Sequence, residues 1–159
     1  MTSPRIKIDP ELKHASGNNI ALGVVYSPVH VTNHDDALWD EIDSCVSRLA
    51  STPVERVAAL EEVQALRATY KALGKDPSRY RGSNEALLRR IAQGKGLFRV
   101  NTIVDINNLV SLESRRSVAS YDKAKLRDEV VFCKGRPGES YQAIGKGILI
   151  YRRTAGVRG

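Results

Sequence analysis

The chain has 159 residues, 42% of them hydrophobic, with a formal charge of +7 and two cysteines. A chain of this size buries roughly 70% of the surface its unfolded form exposes, so it needs no disulfide staple, and Cys45 and Cys133, far apart and outside any metal or redox spacing, read as two reduced thiols. The opening MTSPRIKIDPELK lacks an apolar signal core, and the apolar run at residues 20–26 falls far short of the roughly 20 residues a bilayer span needs, which points to a soluble, cytoplasmic protein with no membrane partner.

Charge is distributed unevenly. Residues 1–66 carry 5 basic and 10 acidic side chains, residues 67–99 carry 9 and 2, and residues 100–159 carry 11 and 6. A basic block of that density is the footprint of a protein that meets polyanions, because each phosphate it neutralises releases a condensed counterion; a solvated helix face is the plainer account.

In chain order, the first 17 residues read as an extension, and IALGVVY, between a turn-prone SGNN and Ser27-Pro28, reads as a buried strand at residues 20–26. DDALWDEIDSCVSRL places Leu38, Ile42, Cys45, Val46 and Leu49 at helical spacing, with acids in the first turns, where the helix dipole favours them. Ser51-Thr52-Pro53 supplies a cap and a proline for one long helix that stops at Gly74. Turn chemistry at KDPS leads into RYRG, and Ser83 is expected to cap a short helix that ends at Gly94, with Leu87, Leu88 and Ile91 on one side and Arg89 and Arg90 on the other. RVNTIVDINNLVSLE is rich in β-branched residues, yet Ile103, Ile106 and Val110 recur at helical spacing and strict alternation is absent, so it reads as a helix. Residues 130–133 and 148–151 read as strands separated by glycine-rich turns. The order predicts a single α+β domain over residues 18–159, with helices packed on a mixed sheet.

Few chemical motifs are present. His30 and His34 stand four apart but in a Pro28-led, β-branched stretch that does not favour a helix, so no metal site is expected. Gly94-Lys95-Gly96 and Gly145-Lys146-Gly147 lack the longer frame that cradles nucleotides and read as turns; no cofactor is expected. Tyr80 between Arg79 and Arg81, with Tyr70 nearby in sequence, has the composition of a site that stacks a base while guanidiniums hold phosphate, or else of a tyrosine packed on its neighbouring helix. The adjacent amides Asn107 and Asn108 interrupt an apolar helix; they either face solvent or bind something, because a buried amide without partners costs about 1–3 kcal/mol.

Residues 70–126, YKALGKDPSRYRGSNEALLRRIAQGKGLFRVNTIVDINNLVSLESRRSVASYDKAKL, resemble the editing module (the third and fourth structural domains) of the phenylalanyl-tRNA synthetase beta subunit, and most of all its free-standing relatives. The features that carry the resemblance are the Gly-Lys-Asp-Pro turn, the helix from Glu85, the Asn-x-x-Val-Asp-x-x-Asn-x-Val-x-Leu-Glu segment from Asn101 to Glu113, and the closing Tyr121-Asp122. The resemblance covers roughly residues 18–150 and implies an α+β fold, with hydrolysis of the ester that joins a wrongly attached, tyrosine-like amino acid to tRNA. It assigns Asn107, Asn108 and Ser120 to the reacting aminoacyl group, and Asn101, Asp105, Ala119 and Tyr121 to substrate contacts; Ala119 stands where the synthetase modules carry a histidine. It assigns Lys75, Arg79, Tyr80, Arg81, Arg89, Arg90 and Lys95 to the tRNA acceptor end. The chain is expected to stop short of the family's further pocket-lining strands, and a homo-oligomer is left open. Two other functions compete with the hydrolase: a non-catalytic tRNA- or RNA-binding module, and an aromatic amino-acid binding protein.

Overall fold

The computed structural model describes residues 3–136, 138–143, 147–150 and 155–158. It divides into two compact units, one of Met1–Val24, Ala68–Pro77 and Tyr121–Gly159, the other of Val25–Arg67 and Ser78–Ser120. Helices and a small mixed sheet make the chain α+β, as the sequence order implies.

The first unit holds the sheet. Strand β1 (Arg5–Ile8) leads through helix α1 (Pro10–Ala15), and β2 (Glu129–Lys134) lies between β1, parallel to it, and β5 (Ala155–Arg158), antiparallel. Strands β3 (Ser140–Ala143) and β4 (Gly147–Ile150) form an antiparallel pair, so the expected strands at 130–133 and 148–151 are present, save that Tyr151 lies outside the described residues. Helix α1 starts where Asp9 accepts the Glu11 N–H at 2.9 Å and Pro10 presets the first turn; its Leu12 is buried and it packs on β2. Lys7 reaches the Glu129 carboxylate at 2.7 Å across the parallel pair and holds it below the usual carboxylate range.

The first 17 residues, read from sequence as an extension, thus supply a strand and a helix. The expected strand at residues 20–26 does not form: the segment has no ladder, and Leu22, Val24, Val25 and Tyr26 are exposed. An apolar run becomes a strand only beside a backbone partner, and both places next to β2 are taken by β1 and β5.

The second unit is helical. Helix α2 (Asp36–Leu49) is capped by Asp35, which accepts the Leu38 N–H at 3.0 Å, and buries Trp39, Ile42 and Cys45. The long helix expected from Pro53 to Gly74 is broken into α3 (Val54–Val57) and α4 (Glu61–Ala72), with Pro53 one position earlier than predicted, as the cap residue. Val57, Leu60 and Val63 are spaced by three, which drifts about 60° per step around a 3.6-residue helix. The tight turns at Ala59 and Leu60, with the Gln64 amide donating to the Ala58 carbonyl, bring Val57 and Leu60 to the core and leave Val63 buried.

Helix α5 (Ser83–Ala92) begins one residue earlier than expected: Ser83, the expected cap, is already helical and Gly82 takes the cap position. A side chain at Gly82 would come within 2.2 Å of Leu66 Cδ2 and 2.7 Å of Asn84 Oδ1. Helix α6 (Thr102–Ser114) confirms the helical reading of the amide-bearing segment and ends on Arg115 in the left-handed region, φ 56°. Cys45, Val57, Leu88, Ile91 and Leu112 form the core of this unit. Cys45 and Cys133 are both buried thiols outside any disulfide.

This packing makes Gly82 and Cys45 sensitive positions. Gly82→Ala lowers unfolding free energy by roughly 1–3 kcal/mol through overpacking, whereas Gly23→Ala, which meets nothing within 4 Å, changes it by less than about 0.5 kcal/mol; urea unfolding of both variants checks the contrast. Burial, with the Glu113 carboxylate adding to it, pushes the Cys45 thiol from 9.0 up to about 11. A raised thiol contributes stability that is complete below pH 9.0 and lost as pH climbs through about 11, so Cys45→Ala flattens the stability profile across that window in denaturant titrations.

Candidate nucleic-acid interface

The Glu85 cluster, the cationic groove beside it and the amide pair are all made by residues of the helical unit. Glu85, in the first turn of α5, is 1% exposed, and a carboxylate that far from water must be paired. Arg67 of α4 meets it with both arms of its guanidinium, Nε to Oε2 at 2.9 Å and Nη2 to Oε1 at 2.7 Å. Arg81 and Arg89 approach the same carboxylate from one turn on either side in sequence, at 3.6 and 4.0 Å. Asn84, also buried, donates to the Arg115 carbonyl at 2.8 Å and accepts from the Ser117 hydroxyl at 3.2 Å, tying the start of α5 to the end of α6.

Outward from Glu85 lies an open groove of about 480 Å³, lined by Arg79, Arg81, Ala86, Arg89, Arg90, Gln93 and Lys95. Five of the seven lining residues are cations and none is acidic. Arg90 Nη2 donates to the Lys95 carbonyl at 3.1 Å, across a turn in which Gly94 and Gly96 both take positive φ. Tyr80 is 43% exposed, with the Arg79 guanidinium 6.0 Å from its ring centre. The structure therefore gathers Arg79, Arg81, Arg89, Arg90 and Lys95, all expected from sequence to meet the tRNA. Lys75 is not among the groove's cations: it belongs to the other unit and is 8% exposed, and burial lowers its pKa.

The amide pair sits on α6. Asn107 and Asn108 are half-buried, and Asn107 Nδ2 donates to the Ser120 hydroxyl at 2.6 Å, which brings together two of the three residues expected at the reacting group. Two others serve the fold: Asn101 caps α6 by accepting the Val104 N–H at 3.0 Å, and the buried Asp105 accepts from Trp39 Nε1 at 2.9 Å and from the Val100 N–H at 3.2 Å. Ala119 and Tyr121 are exposed, and Tyr121 falls in the sheet unit. His34 pairs with Asp36 at 2.7 Å, and among the described residues no cluster of three metal-ligating side chains occurs. The second glycine-lysine-glycine stretch is outside the described residues at Gly145 and Lys146.

Sequence reasoning missed Arg67 and Phe98. Nothing local to Arg67 marks the glutamate 18 residues away as its buried partner. Phe98 carries no motif that singles it out, and it is 67% exposed beneath the Arg90 guanidinium.

Glu85→Gln keeps the shape of α5 but removes the charge that three guanidiniums share. It lowers stability by roughly 1–3 kcal/mol, less than for a sealed ion pair because Arg67, Arg81 and Arg89 are 25%, 44% and 27% exposed and reach water. The loss shrinks in high salt, which screens the unmasked arginines from one another; urea unfolding at low and high ionic strength measures both effects.

A family model described as the B3/4 domain matches residues 65–151, more than half of the chain. No curated protein and no solved structure matches it. The matched span takes in the Glu85 cluster, the five-cation groove and the amide-bearing helix, and the chain belongs to the B3/4-domain family, the domain found in the phenylalanyl-tRNA synthetase beta subunit.

Proposed function

We propose that the chain binds the acceptor end of tRNA and hydrolyses the ester of a mischarged aminoacyl group, acting in trans as an editing deacylase. The observation that carries this reading is the groove in which Arg79, Arg81, Arg89, Arg90 and Lys95 converge with no acidic side chain in its lining, in a chain whose family ties it to phenylalanyl-tRNA synthetase. Cations held in register track a phosphate backbone, and the counterions released supply sequence-independent affinity. Tyr80, exposed beside Arg79, adds a ring on which a base or ribose stacks.

On this reading the amides of Asn107 and Asn108 hold the aminoacyl group. Asn107 is oriented by its bond to Ser120, which leaves its side-chain carbonyl as an acceptor for a substrate hydroxyl or ammonium. A site that hydrogen-bonds a substrate hydroxyl rejects the analogue lacking it by orders of magnitude, which is how a tyrosyl ester would be told from a phenylalanyl one. Water adds to the ester carbonyl, the bond to the ribose oxygen breaks, and the proton passes to that oxygen, releasing free amino acid and uncharged tRNA. The amides contribute by positioning and by polarising the carbonyl.

A second reading, a non-catalytic tRNA-binding module, is favoured by Ala119 at the family's histidine position and by Asp105 being fully engaged with Trp39 and Val100. Deacylation of tyrosyl-tRNA specific for phenylalanine, beside alanyl-, seryl- and correctly charged phenylalanyl-tRNA, separates the two. The editing reading expects selective loss of the tyrosyl ester, slowed at least about tenfold by Asn108→Ala. Spontaneous decay of every ester with tRNA still bound leaves the binding module; absence of tRNA binding overturns both. In the same binding assay, replacing Arg79 and Lys95 together by Ala lowers the log–log salt slope by roughly 1–2, one step for each phosphate no longer neutralised.

A further inference from the structure

Arg90 is one of the groove's five cations, and its guanidinium carbon lies 3.8 Å from the centre of the Phe98 ring. That distance is a face-on van der Waals stack, so one face of Phe98 is covered by the groove itself. The ring is nonetheless 67% exposed. Single exposed apolar side chains are ordinary, but this one is held in place from both sides. Arg90 is fixed by donating to the Lys95 carbonyl at 3.1 Å, and its Nε, shut from solvent, has no hydrogen-bond partner among the described residues. On the chain side, the Arg99 guanidinium covers the buried Trp39 at 4.4 Å and the Val100 N–H is bonded to the buried Asp105 at 3.2 Å. The two residues that follow Phe98, though themselves exposed, are thereby tied to the buried Trp39 and Asp105, and a ring presented on a tethered backbone has a lower ordering cost of binding.

We propose that Phe98, backed by Arg90, is a stacking site for an unpaired nucleobase, and that it takes bases of a single-stranded RNA whose phosphates lie along Arg79, Arg81, Arg89 and Lys95. The proposal rests on the reading of the groove as an RNA-binding surface and adds the form of RNA that it selects. An exposed aromatic face can stack any base, purine or pyrimidine, but only one that is not already stacked inside a duplex. A cationic groove alone would hold single and double strands without such a distinction. Phe98 therefore makes the surface selective for single strands while leaving it tolerant of sequence.

The test is fluorescence anisotropy on the full chain with a short unstructured RNA and with the duplex it forms with its complement, using native protein, Phe98→Ala, Phe98→Trp and Arg79→Ala. Thermal unfolding of each variant confirms that these surface changes leave the fold intact. Phe98→Ala is expected to weaken single-strand binding by roughly 5- to 100-fold, to leave the log–log salt slope unchanged because every phosphate-binding cation is still in place, and to leave duplex binding as it was. Phe98→Trp retains affinity, and its indole fluorescence responds to RNA. Arg79→Ala behaves in the opposite way, lowering the slope by about one for both RNAs. If Phe98→Ala binds the single strand as tightly as native protein while Arg79→Ala is impaired, the stacking site is wrong and the phosphate-binding groove stands. If native protein binds neither RNA, the groove reading falls and the stacking site with it. An acidic polypeptide that binds as tightly as the RNA, and is weakened equally by Phe98→Ala, also overturns the proposal, because it makes the ring a protein-binding residue.

Discussion

The helical unit is organised around one buried carboxylate. Glu85 has been taken out of water almost completely, and the only way a fold tolerates that is to surround it with donors. Arg67 supplies the strong bidentate contact from α4, while Arg81 and Arg89 approach Oε1 at longer range. The consequence for the surface is direct. Two cations a few ångströms apart repel by about 4 kcal/mol at an effective dielectric of 20, so a dense cationic groove is unstable unless a negative charge lies beneath it. Glu85 is that charge, and because it is shared among three guanidiniums the groove keeps a net positive face for a ligand.

A second carboxylate plays a comparable part on α6. Asp105 receives the Trp39 indole and the Val100 N–H, which joins α2 to α6 and fixes the backbone that carries Phe98 and Arg99. Asn101 closes the same end of the helix as its cap, and Thr102 exchanges hydrogen bonds with Thr32. The polar residues of the segment from Asn101 to Glu113 thus divide into two kinds. Asn101 and Asp105 hold the helix where it is, while Asn107 and Asn108 lie further along it with donor and acceptor capacity in excess of the one bond to Ser120. One short stretch thus holds both polar groups bound up in the scaffold and polar groups with hydrogen-bonding capacity to spare.

Membership of the B3/4-domain family and the α+β class agree with what the residues at 70–126 suggested. Among the described residues no helix is long and apolar enough to cross a membrane. The groove and the amide pair use different side chains, Arg79, Arg81, Arg89, Arg90 and Lys95 in the one and Asn107 and Asn108 in the other, so each can be altered without the other.

Local chemistry was enough to read α2, from its acidic first turns and its stripe through Ile42 and Cys45, and α6, from the three- and four-residue recurrence of Ile103, Ile106 and Val110. The basic character of residues 67–99 was legible as well, since charge is counted directly from side chains. Features that depend on a distant partner were not. The apolar run at residues 20–26 has the composition of a strand and joins no ladder, while the modest RIKI of β1 becomes a strand because β2 lies alongside it. Lys75 reads like its neighbouring cations and is buried, while the apolar Phe98 is exposed. Which arginines approach the buried Glu85 depends on where α4 and α5 bring Arg67, Arg81 and Arg89. Helical periodicity and the sign of the charge follow from residues a few positions apart and are legible in the chain; strand partners, burial and the grouping of the cations depend on contacts between residues far apart and become visible only once the chain is folded.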